Sequence, residues 1–157
     1  QRHAGSAGRE IRRASTATRQ STEAGGAVSR LTTDGGDLMK FILLVHHDET
    51  AFEKMSDETK KGLLTESIGL CHQLDAKGEY VHASPVHPAA TATLVRVRDG
   101  RSLVTDGPFI ETREQMAGYF LIEAKDRDEA VAIAAKVPGA RIGTVEVRPV
   151  REITGLP

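Results

Sequence analysis

The sequence predicts an α+β chain whose elements run β-α-β-β-β-β-α-β, and three observations carry that expectation. "KFILLVH", residues 40–46, is a nearly continuous apolar run of strand length, the pattern of a central strand covered on both faces. Two stretches, 56–78 and 126–139, carry helix start and stop signals around apolar residues at helical spacing. Between them lie short β-patterned runs divided by Gly, Pro and Asp.

Each element has a local reason. Ser56 is placed to cap the first helix, with Asp57 and Glu58 in its first turn. Leu63, Leu64, Ile68, Cys71 and Leu74 form the expected apolar stripe, and Gly78 ends the helix. "EYVHAS" is the second strand, stopped by Pro85 and Pro88. "TATLVRV" and "RSLVT" flank Asp99-Gly100, which predicts a hairpin with a type I′ turn. "GYFLIEA" is the next strand. Asp126 then caps a second helix over "RDEAVAIAAKV", with Glu129 as the capping-box partner. Pro138-Gly139 stops it, and "GTVEVRPV" is the closing strand. With the hairpin taken as an insertion, the remainder is a ferredoxin-like split βαβ frame. Two helices on one side leave the other sheet face open. Apolar residues at alternate positions of "TVEVRPV" and "ATLVRV" then predict a homodimer packed sheet on sheet.

Composition changes at Met39. Residues 1–38 hold no aromatic residue, and Ile11, Val28, Leu31 and Leu38 are their sizeable aliphatics. Such a segment cannot bury enough apolar surface to offset its ordering entropy. The expectation is an unordered extension, 1–38, upstream of a natural start at Met39, and one domain over 39–157. A short helix around Glu10 to Arg19 would be marginal alone. A formal charge of −1, no tryptophan and few aromatics argue against nucleic-acid binding. No apolar run approaches 18 residues, so neither a membrane span nor a signal peptide is expected. The single cysteine, Cys71, excludes an intrachain disulfide and suits a reducing cytoplasm. No P-loop, dinucleotide fingerprint or GxSxG elbow is present, so no cofactor is implied.

The run "LVTDGPFIETREQMAGYFLIEAKDRDEAVAIAAKVPGARIGTVEVRPV" resembles the DGPF (DGPFAETKE-type) branch of the YCII-related family. Ile110 stands where Ala is usual and Arg113 where Lys is usual; the resemblance covers Met39 to about Ile153. It implies a dimeric α+β barrel of ferredoxin-like subunits. Most such proteins have no established activity. Many are encoded beside extracytoplasmic-function sigma factors, a link that rests on the resemblance alone. The wider group includes an enzyme that removes chloride from a chlorinated muconate-type lactone or acid with a His–Asp pair. Counting back from Pro85 puts Ser67 where that histidine lies, so its chemistry does not carry over.

The candidate site residues follow from the motif and from the histidines. His46 and His47 end the first strand, one pointing to the helices and the other away, and either could serve as a general base. Asp106 is the candidate orienting acid or proton donor, with an Asx-turn as its structural alternative. Glu66, Ser67, His82, Ser84, Phe109, Glu111 and Arg113 are the candidate ligand-binding residues. Cys71 reads as inert core, and no HxH or HExxH spacing points to a metal. Two functions stay open: a small-molecule lyase or isomerase using His/Asp acid–base chemistry, and a non-catalytic ligand-binding or regulatory module.

Overall fold

The structure, a computed structural model, describes residues 37–156. The expectations for residues 1–36, including the short helix, lie outside the described residues.

β1 (Met39–His47) buries Phe41, Leu43 and Val45, whereas Ile42 and Leu44 are half-buried. The sequence predicted cover on both faces. Among the described residues only one face is covered, because both predicted helices lie on that side. α1 (Glu49–Glu53) was not anticipated; Asp48 caps it, accepting from the Ala51 N–H at 3.0 Å. α2 (Asp57–Lys77) begins at the Ser56 cap and ends at Gly78, whose φ of 75° closes the helix in the left-handed conformation. Its predicted stripe is corrected in part. Leu70 and Leu74 are buried, while Leu64 and Ile68 are about half exposed. The N-terminal half of α2 borders a cavity instead of seating its leucines on the sheet.

β2 (Tyr80–Pro85), β5 (Gln115–Ala124) and β6 (Gly143–Pro149) join β1 in one antiparallel sheet of order β2-β5-β1-β6. That order is the ferredoxin-like one. β3 (Thr93–Arg98) and β4 (Arg101–Asp106) form a separate two-stranded sheet. Asp99 and Gly100 both have positive φ, as a type I′ turn requires. α3 (Arg127–Ala134) starts on the Asp126 cap, which accepts from the Glu129 N–H at 2.8 Å. The Glu129 carboxylate reaches back to the Lys125 N–H at 2.7 Å, one residue beyond the capping-box position. α3 supplies Ala130, Ile133 and Ala134 to the core around Leu43 and Ile122.

One irregularity positions the site. In β5, Gly118 stands opposite Val45 but Met116 stands opposite His46, so Ala117 bulges between them. Such a bulge re-aims side chains at a strand end. It falls where the two histidines leave the sheet.

Candidate functional site

Pleating sends His46 and His47 to opposite faces. His47 continues the row Phe41, Leu43, Val45 and enters a cavity of about 390 Å³ on the helix side. The cavity is walled by Val45, Leu63, Ala83, Phe120, Val137 and Ile142, with few polar groups among them. The His47 ring stacks on Phe52, centroids 4.4 Å apart and planes within 13°. Burial pushes its pKa below the ordinary histidine value, against the opposing pull of Glu49, Asp48 and Glu114. The imidazole is therefore neutral near pH 7 and can accept a hydrogen bond.

The Ser67, Ser84, Glu49 and Lys60 side chains beside it are already committed. The Ser67 hydroxyl donates to the Leu63 carbonyl of its own helix at 2.9 Å. Ser84, at the rim, donates to the Pro85 carbonyl at 3.0 Å. The Glu49 carboxylate accepts from the Ala89 N–H at 2.7 Å, pinning the proline-rich loop. Lys60 donates to the Glu53 carbonyl at 2.9 Å and lies 5.9 Å from the Phe52 ring centroid. Burial raises the Cys71 thiol, which keeps it protonated and a poor nucleophile.

His46 faces the other side, in a second cavity of about 940 Å³ that includes Pro108, Phe109, Glu114, Met116, Thr144 and Glu146. Its side chain is 27% exposed, and among the described residues its Nε2, though buried, has no hydrogen-bond partner. The nearest carboxylate oxygen, Glu146 Oε2, is 3.9 Å away. The Glu146 carboxyl is held below the usual range, first by its hydrogen bond from Arg148 and then by the Arg148 and His46 charges. Phe109 is 72% exposed, with the Arg96 guanidinium 5.9 Å from its ring centroid.

The other candidates stand apart from both cavities. Asp106 is exposed at the end of β4 and accepts from the Thr93 hydroxyl at 3.5 Å. Among the described residues, no hydrogen bond or ion pair joins it to a histidine or to an amide of its own turn. Glu66 pairs with Arg141 at 2.7 Å on the surface. His82 Nδ1 is 3.0 Å from the Tyr119 hydroxyl, and Glu111 is exposed. Arg113 Nε lies 3.5 Å from Asp48 Oδ2, steadying the cap of α1. The expected His–Asp constellation is thus not assembled around Asp106. Asp106→Ala is expected to change unfolding free energy by less than about 0.5 kcal/mol, as for a surface group with one long contact. Urea denaturation checks this.

Phe52 and Ile142 were missed for the first cavity, and Glu146 for the second. The start signal for the short helix bearing Phe52 was present in Asp48 followed by Glu49. The alternation of "TVEVRPV" already set Glu146 apart from its valine neighbours. Among the described residues, no cluster of three or more His, Cys, Asp or Glu could hold a metal, and no helix is long and apolar enough to cross a membrane.

Comparison with known proteins covers the same region. Residues 39–154 match the model of the YCII-related domain. The chain is also similar to an uncharacterised protein of Rhizobium meliloti (strain 1021). The two are 29% identical over 113 residues, which is 71% of this chain and 91% of the relative.

Proposed function

We propose, from the premise that this chain belongs to the YCII-related family, that it binds a small, largely apolar molecule in the helix-side cavity. The observation that carries the reading is the His47 imidazole, stacked on Phe52 and set in an apolar wall. A preformed apolar pocket of this size with one oriented polar group is the usual form of a small-molecule site. The ligand would present a hydrogen-bond donor to His47 and stack or pack its body against Leu63, Phe120 and Ile142. Phenol is a suitable probe, having both features. Calorimetry should detect saturable phenol binding, weakened about tenfold in His47→Ala, the size of one lost buried hydrogen bond. Equal affinity in the variant, or no binding, contradicts the assignment.

Lyase or isomerase chemistry through a His/Asp pair is the weaker reading. The Ser67, Ser84 and Glu49 side chains around His47 are committed to backbone partners, and Asp106 contacts Thr93 instead.

We also propose that the open sheet face pairs with a second copy. Ile42 stands opposite Leu121 and Leu44 opposite Tyr119, an apolar centre left half-buried within one chain. Burial of such a centre is the main favourable term in association. Leu121→Arg should convert a dimer into a monomer in sedimentation equilibrium. A dimer unaffected by it contradicts this face.

A further inference from the structure

We infer, resting on the His47 site proposed above, that the helix-side cavity takes an amphiphile: one hydrogen-bond-donating head joined to an extended alkyl chain. Size is the first reason. A cavity of about 150 Å³ already admits benzene. The one beside His47 is about 390 Å³, so a single ring leaves more than half of it empty. Shape is the second. Lys60, Leu64, Ile68 and Cys71 all line it, along one face of α2. At the helical rise this run spans about 16 Å. His47 belongs to the Lys60 end. Its ring stacks on Phe52, and the Phe52 ring centroid lies 5.9 Å from Lys60 Nζ. A head bonded to His47 therefore sends its body along α2 toward Ile68 and Cys71.

The wall along that course is apolar and incompletely covered. Leu64 is 53% exposed, Ile68 48%, and Val86, on the loop after β2, 43%. Further along the same helix the core closes over Leu70 and Leu74. Ser67, on the cavity wall, gives its proton to the Leu63 carbonyl and presents no free donor to the chain. An alkyl chain laid on these side chains removes apolar surface from water on both partners, worth about fourfold in affinity for each methylene buried. The charged groups collect at the other end. Glu49, Glu53 and Lys60 line the cavity there, and Glu114 and the Asp48–Arg113 pair lie close to His47 or its neighbour. Both signs are present, so chain length, not charge, is the property the cavity selects.

Calorimetry on the full chain with phenol, 4-ethylphenol, 4-butylphenol and 4-hexylphenol measures the length of the site. Affinity should rise about tenfold from each member to the next, with one ligand bound per chain. Leu64→Gln and Ile68→Gln place a good helix former at half-exposed positions, so both variants should fold and bind phenol as the parent does. Each should bind 4-hexylphenol about tenfold more weakly than the parent. His47→Ala should weaken every member by the same factor, because the head is common to all. Phenol binding with no gain from the chain overturns the amphiphile and leaves the His47 site standing. A gain that survives intact in both glutamine variants does the same, since the chain then lies elsewhere. No saturable binding by any member overturns the amphiphile and the site together, as does a chain-length gain in a series that His47→Ala leaves untouched.

Discussion

Gly143→Ala is expected to destabilise the domain by about 3 kcal/mol and to displace both histidines together. Gly143 opens β6 directly opposite His47. A Cβ there would overlap the His46 carbonyl oxygen and stand 2.9 Å from the His47 Cα and 3.0 Å from the His46 carbonyl carbon. These are backbone atoms and cannot rotate aside, so the β1–β6 pairing itself must part. Gly62→Ala is the natural control. Gly62 lies within α2 with nothing near its would-be Cβ, so alanine should stabilise by roughly 0.5–1 kcal/mol. Urea unfolding of the three proteins gives the comparison. A Gly143→Ala variant as stable as the parent would mean that the strand end is looser than described.

His47 should make stability depend on pH in a definite direction. Burial is the main cause of its lowered pKa, so the folded protein binds a proton there less readily than the unfolded chain. The unfolded state then holds more protons in the window between the two values, and stability rises with pH across it. The stabilisation is fully present above the unfolded value, near 6.5, and is lost as pH falls toward the folded value. Glu49, Asp48 and Glu114 oppose the shift and reduce its size without reversing it. His47→Gln should remove this dependence. The difference in unfolding free energy between parent and variant should therefore shrink as pH is lowered from 7 through the acid side of 6.5. A constant difference would place the imidazole in solvent.

Much of the fold was legible because its signals are local. Ser56, Gly78, Asp126 and Asp99-Gly100 each determine a cap or turn by their own chemistry, and each does so in the structure. The assignment of strands to one ferredoxin-like sheet followed from element order and apolar runs. The site was less legible because it depends on distances between elements. The sequence showed that His46 and His47 must face opposite ways, but not that each meets its own cavity. Asp106 looked like their partner because the motif is dense in polar residues. In the fold the hairpin forms its own sheet, and Asp106 turns to Thr93 across that hairpin. The apolar stripe of α2 misled for a related reason. Helical spacing shows which residues share a face, but it does not show whether the face meets a packed sheet or an open cavity.

The most direct test is an NMR pH titration of the His46 and His47 rings in the full chain, with and without phenol. The account predicts that His47 titrates below the ordinary histidine value of about 6.5, that phenol shifts its resonances and lowers that value further, and that His46 stays unmoved. A His47 that titrates in the ordinary range and does not respond to phenol would contradict the helix-side cavity as the binding site.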